Sequence, residues 1–315
     1  MSKILAVLGA TGQQGGSVVN FVLNDPELSL KYKIRAITRD VDSEEAKRLK
    51  EKVEVVQGDV LDRASLETAF TGVHTIFAMT KPSSFAPDAL EIEYNSGKTT
   101  ADAAVKEGVE YIIFSTLPAV TEISGGKYTN IAPFDNKARI EHYIRSLPVK
   151  SAFCSLGWFM QNFHTHTFLS PRQAPDGTWI LARHISPKTQ MPYIDAVENT
   201  GNFVGAILAD PDKYEGKTFC AATRHYSLEE LTASVSKATG NTVVYKQITP
   251  EDFKQNLSVL GADLAEKWVE MFSYQEEFGY FGPDSEKLVS WAAENARGKL
   301  TTFEEYLEAH PLKLA

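Results

Sequence analysis

The chain opens with a stretch that leaves little freedom about its fold: Lys3-Ile-Leu-Ala-Val-Leu runs directly into Gly9-Ala-Thr-Gly12-Gln-Gln-Gly15-Gly16. An apolar run without polar alternation suits a parallel strand covered on both faces. Glycines at its exit let backbone approach a phosphate closely. The helix-compatible segment Ser17 to Leu23 behind them offers its positive N-terminal end to the same anion. Strand, glycine turn and helix together are the mechanics of a dinucleotide-binding turn, with Gly9, Thr11, Gly12, Gln13, Gln14 and Gly15 against the cofactor. Glycine-rich turns also serve as ordinary tight loops, so the remainder of the chain has to decide.

The pattern repeats. Lys33 to Thr38 reads as a second strand ending at Arg39 and Asp40. An acid at this strand end grips the ribose 2′-OH of NAD, whereas an arginine accommodates the 2′-phosphate of NADP. Arg39 therefore favours NADP(H), its guanidinium matching a phosphate bidentately. The competing reading pairs Arg39 with Asp40 or Asp42 on a solvated loop and keeps NAD open. Val53 to Gln57 is the third strand, followed by Gly58 and Asp59. Asp59 lies where it can accept from an adenine amino group or cap the next helix. Thr75 to Met79 is the fourth strand, leaving Thr80 and Lys81 at the cofactor edge before a loop from Pro82 to Pro87. A helix from about Ala89 to Lys106 and a fifth strand, Tyr111 to Ser115, complete a doubly wound α/β parallel sheet.

Residues 117–135 read as a long loop, and a helix is expected from about Asn136 to Arg145. A tyrosine four residues before a lysine on this helix is the usual proton donor of short-chain reductases. Here Pro133 stands four before Lys137. Lys137 keeps three readings: an ion pair with Glu141, a hydrogen bond to the nicotinamide ribose, or an acid in its own right if burial lowers its pKa. Tyr128 is too far upstream to replace the missing tyrosine.

The second half is read more coarsely. Ser151 to Leu156 is a sixth strand. Gln190 to Asp195, the helix Val197 to Ala209, and Lys217 to Ala222 look like the chain returning to the sheet. Asp195 reads as a helix cap, and Ser227-Leu-Glu-Glu230 as a capping box. Asn241 to Ile248 is strand-like, and Thr249-Pro250 starts a further helix. From Gly261 to Phe281 the pattern is helical and aromatic, either core or the wall of an apolar cleft.

A net charge of −9 speaks against a nucleic-acid surface. The 2 cysteines, Cys154 and Cys220, sit in apolar segments and suggest a reducing compartment. No metal-ligand spacing accompanies His164 and His166, no apolar run is long enough for a bilayer, and no leader is evident. The expected setting is the cytoplasm, with the nucleus as a second location.

Gly9-Ala-Thr-Gly12-Gln-Gln-Gly15, Thr38-Arg39, Gln57-Gly58-Asp59, Pro133-Phe-Asp-Asn-Lys137, Gly157-Trp-Phe-Met-Gln-Asn162 and Thr301-Thr-Phe-Glu-Glu-Tyr-Leu307 together resemble the NmrA-like family of atypical short-chain dehydrogenases. The resemblance spans essentially the whole chain, and the G-x-x-G-x-x-G spacing agrees with it. It implies an NADP(H)-binding Rossmann domain over 1–156, its sheet completed by about 190–222. A smaller α+β domain from 157–189 and 223–315 would close the cleft. It further implies Arg39 on the 2′-phosphate, Lys137 near the nicotinamide ribose, and Gly157, Phe159 and Asn162 flanking the nicotinamide. Two functions fit: an NADPH-dependent oxidoreductase acting on a small organic substrate, with Lys137 as its catalytic residue, or a redox-sensing regulator that binds NADP(H) and answers to a protein partner. A monomer or dimer is expected, with neither nucleic acid nor membrane as a direct partner.

Overall fold

The computed structural model describes residues 2–81 and 88–314; the expected loop Pro82 to Pro87 lies outside them. Its frame is a seven-stranded sheet made of β1 (Lys3–Leu8), β2 (Tyr32–Thr38), β3 (Glu54–Gln57), β4 (Thr75–Ala78), β5 (Tyr111–Thr116), β6 (Lys150–Leu156) and a later strand, Thr218–Ala221. Every pairing in it is parallel. The order from one edge is β3-β2-β1-β4-β5-β6 and then Thr218–Ala221. The strand order reverses beside β1, which places the crevice for a ligand at the carboxyl ends of β1 and β4.

The unbroken apolar run of β1 is explained by covering on both faces. Leu5 and Val7 pack with Val18, Val22 and Phe203 on one side. Ala6 and Leu8 pack with Leu66, Phe70 and Ala101 on the other. On the first face the helices Gln13–Asn24 and Ala196–Ala209 approach unusually closely. A Cβ at Gly201 would meet the Cβ of Phe21 at 2.3 Å and the carbonyl oxygen of Ser17 at 2.6 Å. The backbone N–H of Gly201 donates to Ser17 Oγ at 2.9 Å. Gly201→Ala is therefore expected to lower stability by about 1–3 kcal/mol through overpacking, against the ~1 kcal/mol gain usual for this change in an open helix. Urea denaturation would show it as a fall in midpoint. An unchanged or higher midpoint would mean the two helices part without cost.

After β6 the chain departs from expectation. Trp158–Phe159 forms β7, and Arg172–Gln173, Trp179–Arg183 and Gln190–Ile194 form β8, β9 and β10. Strand β10 does not rejoin the main sheet. It pairs parallel with β7 and antiparallel with Arg224–Ser227 in a second sheet, and only Thr218–Ala221 completes the first. With β11 assigned to Thr218–Ala221, β12 to Arg224–Ser227 and β13 to Val243–Gln247, the third sheet runs β13-β9-β8. The strand pattern of residues 190–195 was legible, but periodicity says nothing about which strand a strand will pair with. Gly157 makes the turn toward β10: a Cβ there would lie 2.5 Å from the Pro192 carbonyl oxygen. Asp195 and Ser227 cap their helices as expected. Both cysteines are buried and free, and burial pushes the thiol pKa up in each, to about 12 for Cys220.

Candidate functional site

Strand β1 hands the chain to Gly9, whose φ of +67° is a left-handed conformation natural only to glycine. The N–H of Gly12 then closes on the Gly9 carbonyl at 2.8 Å. Gly12 occupies the cap position of the helix Gln13–Asn24, with no capping side chain and no acid in the first turn. The opening N–H groups and the positive end of that helix are thus left for an anion. Gly15 is required by packing instead. A Cβ there would sit 2.3 Å from the Gly9 oxygen and 2.8 Å from the Ala10 nitrogen, so helix and turn can touch only through a glycine. Thr11, Gly12 and Gln13 are exposed. Gln14 is committed elsewhere, its Oε1 accepting from Ser115 Oγ at 2.6 Å. This cradle fits a pyrophosphate, and backbone makes most of it.

At the ends of β2 and β3, Arg39 is exposed. Among the described residues its guanidinium makes no ion pair. Asp40 is turned into its own loop, Oδ1 accepting from Asp42 N at 2.9 Å. The Gly58 N–H donates to Thr38 O at 2.9 Å, which brings Gly58 and Asp59 beside Arg39. Asp59 does not cap the following helix. Asp62 does that, accepting from Ala64 and Ser65, while Asp59 Oδ1 accepts from Leu61 N at 3.0 Å.

The helix carrying Lys137 starts earlier than expected, spanning Ala132–Arg145 with Pro133 in its first turn. A proline costs nothing there, because the N–H it lacks has no partner inside the helix. A single helical turn, Val120–Ile123, also interrupts the expected long loop. Lys137 does not pair with Glu141, which instead takes Arg145. Its ammonium donates to Thr80 O at 2.7 Å and Thr80 Oγ1 at 2.8 Å, and lies 3.0 Å from Glu93 Oε1. Thr80 Oγ1 donates to Glu93 Oε1 at 2.7 Å, and Asn136 Nδ2 donates to Glu93 Oε2 at 3.0 Å. The Glu93 side chain is 0% exposed and that of Lys137 13%. Burial holds the Lys137 pKa below the usual lysine value, with the Glu93 charge working against that fall. Two N–H donors of the ammonium are thus hydrogen-bonded to Thr80, and the Glu93 carboxylate pairs with its charge. Lys81, next to Thr80, is exposed. Tyr128 donates to Glu277 at 2.9 Å, and its pKa is pushed up to about 12, first by burial.

Gly157, Phe159 and Asn162 leave the carboxyl end of β6 together. Phe159 is held in β7 opposite Ile194, and Met160 N donates to Ile194 O at 2.9 Å. Asn162 borders an aromatic cleft in the smaller domain with Trp158, Phe163, Tyr193 and Phe272. No cluster of three or more potential metal ligands occurs among the described residues, nor is any described helix long and apolar enough to cross a membrane.

The sequence matches the family model described as NmrA-like family over residues 1–307. The chain belongs to the NmrA-like family. It is 31% identical to an NmrA-like family domain-containing protein of Dictyostelium discoideum, with 100% of both chains covered. It is 28% identical to the NmrA-like oxidoreductase lnaB of Aspergillus flavus, covering 91% of this chain and 88% of that one. Among solved structures it is similar to NmrA, a negative transcriptional regulator, in complex with NADP. That likeness has a TM-score of 0.80 at 25% identity, over 99% of this chain and 95% of NmrA. A complex of NmrA with NAD matches with the same TM-score of 0.80.

For an NmrA-like chain, then, the glycine turn, Arg39, Thr80 and Lys137 were visible in the sequence, whereas Glu93 and Asn136 were missed. A signal for Glu93 existed. On the helix Ala89–Lys106 the buried positions include Ser96, Gly97, Thr100, Ala101 and Ala104, and Glu93 lies on the same stripe. A charge in phase with a buried face needs a partner.

Proposed function

We propose that this NmrA-like chain is an NADPH-dependent oxidoreductase acting on a small organic substrate without the usual tyrosine. The observation that carries the reading is the buried Lys137–Glu93 pair against Thr80, at the carboxyl end of β4. Breaking such a pair is costly, yet an apolar pair of the same shape is often as stable or more so. Its position at the sheet's ligand edge is what it contributes. When bound, the nicotinamide supplies the hydride chemistry. The open N–H groups after Gly12 hold the pyrophosphate, and Arg39 holds the 2′-phosphate. Thr80 and Glu93 hold the Lys137 ammonium in place, poised to serve the ribose or a proton on the substrate.

One observation favours a second reading, that of a regulator binding NADP(H) without turnover: Pro133 removes the usual acid, and two donors of Lys137 are already taken by Thr80. Titration with NADP+, NADPH, NAD+ and NADH, followed by NADPH oxidation against ketones, quinones, imines and enones, separates the two. Steady turnover with one acceptor establishes the enzyme. Tight binding with none establishes the regulator.

Arg39→Ala is expected to weaken NADP+ binding about tenfold or more, the worth of a charge-assisted contact to phosphate, while leaving NAD+ binding nearly unchanged. Equal losses for both dinucleotides in calorimetry would remove Arg39 from the 2′-phosphate.

A further inference from the structure

Strand β9 alternates in burial, with Trp179 and Leu181 facing inward, and Arg183 continues the inward phase. An arginine there is out of character with its strand. The residue is only 7% exposed. Its Nη1 donates to the Ala182 carbonyl at 2.7 Å and its Nη2 to the Leu169 carbonyl, while Nε has no partner. No carboxylate pairs with it among the described residues. Burial pulls its pKa down to about 10. Buried guanidinium groups are ordinarily paired with an acid, so this one lacks a counter-charge.

Arg183 borders the cleft behind Asn162, a narrow space that opens to solvent. Trp158 is stacked on Phe272 with ring centroids 5.6 Å apart and planes 6° from parallel, and Phe163, Tyr193 and Leu231 supply the other apolar walls. The Tyr193 hydroxyl has no hydrogen-bond partner among the described residues. Flat apolar walls with a few convergent polar groups are what orient a small ligand.

We propose that this cleft binds a small conjugated or aromatic carboxylic acid, its planar body between the aromatic walls and its carboxylate on Arg183. As a substrate site it rests on the oxidoreductase reading, since it shares Asn162 with the segment expected to flank the nicotinamide. As a ligand site it stands alone. The monoanion supplies the charge that Arg183 lacks, and the Tyr193 hydroxyl supplies a second donor.

The test is calorimetric titration of the full chain with benzoate, cinnamate and 2-naphthoate, each beside its neutral amide, and with acetate. NADP+ affinity is measured on the same preparations. At least one aromatic acid is expected to bind about tenfold or more tighter than its amide, the worth of a charge-assisted hydrogen bond, and acetate far more weakly. Arg183→Met is expected to erase the preference for acid over amide, and Arg183→Lys to restore part of it. Phe163→Ala, which leaves the guanidinium untouched, is expected to weaken acid and amide alike. Equal binding of acids and amides, no binding of either, or acetate binding as tightly as the aromatic acids would overturn the proposal. If it fails in one of these ways while NADP+ still binds, the cofactor reading survives. If the acids bind as expected and no dinucleotide does, the ligand site stands and the oxidoreductase reading falls.

Discussion

Replacing Glu93 by leucine is expected to cost the fold about 3–5 kcal/mol, the penalty for leaving a buried charge without its partner. Glu93 accepts from Thr80 and Asn136 as well as facing Lys137, so the substitution removes the counter-charge of Lys137 and an acceptor from Thr80 and Asn136. Lys137→Met alone carries a similar penalty, because it leaves the fully buried Glu93 carboxylate facing nothing charged. The double variant Glu93→Leu with Lys137→Met removes both charges and is expected to recover much of the loss, as apolar replacements of buried pairs do. A double-mutant cycle by urea denaturation measures this directly. Simple addition of the two single costs would show that the pair is not coupled.

The pH dependence of Glu93→Leu follows from the same geometry. Burial already lowers the Lys137 pKa below 10.5, and Glu93 opposes that shift. Without Glu93 the folded pKa falls further. Between that folded value and the unfolded one the unfolded chain binds more protons, so stability rises with pH across the window. The variant should therefore regain stability toward alkaline pH more steeply than the parent protein. A flatter profile would mean that water reaches the ammonium.

The second large effect is expected at Gly15. A methyl group there meets the Gly9 carbonyl oxygen at 2.3 Å, the Gly9 carbonyl carbon at 2.5 Å and the Ala10 nitrogen at 2.8 Å. All three are backbone atoms, so nothing flexible can yield. Gly15→Ala is expected to lower stability by about 1–3 kcal/mol through overpacking and to weaken dinucleotide binding about tenfold or more, since ~1.4 kcal/mol of lost alignment suffices. Gly12→Ala is the matched control: its Cβ would lie 3.3 Å from the Gly9 oxygen, a contact the turn can absorb. It should leave the unfolding midpoint nearly intact, so that any loss of affinity reports on close approach of the phosphate. Equal stability loss at both positions would mean that Gly15 has no special packing role.

The motifs that survive into the structure are those whose physics is local. The turn from Gly9 to Gly15, the capping box at Ser227 and the cap at Asp195 depend on residues a few positions apart, and the sequence displays them whole. Arg39 was legible because it follows directly from β2, and the strand end carries the information. Strand β10 was legible as a strand but not as a member of the second sheet, because its partners Trp158–Phe159 and Arg224–Ser227 lie far away in the chain. Lys137 was legible as a residue of interest, but one of its three readings, the pair with Glu141, fails for a related reason. Spacing along one helix offers Glu141, whereas the packing of Ala132–Arg145 against Ala89–Lys106 delivers the fully buried Glu93 instead.

By itself, then, the sequence determined the parallel α/β frame, the glycine turn at its ligand edge and the cationic strand end at Arg39, because periodicity and backbone conformation are short-range properties. Only the tertiary structure decided that Lys137 is held by Thr80 and Glu93, and that Arg183 is buried beside an aromatic cleft without a counter-charge. The reason is that the worth of a charge depends on which distant elements exclude water from it, and no local pattern encodes that.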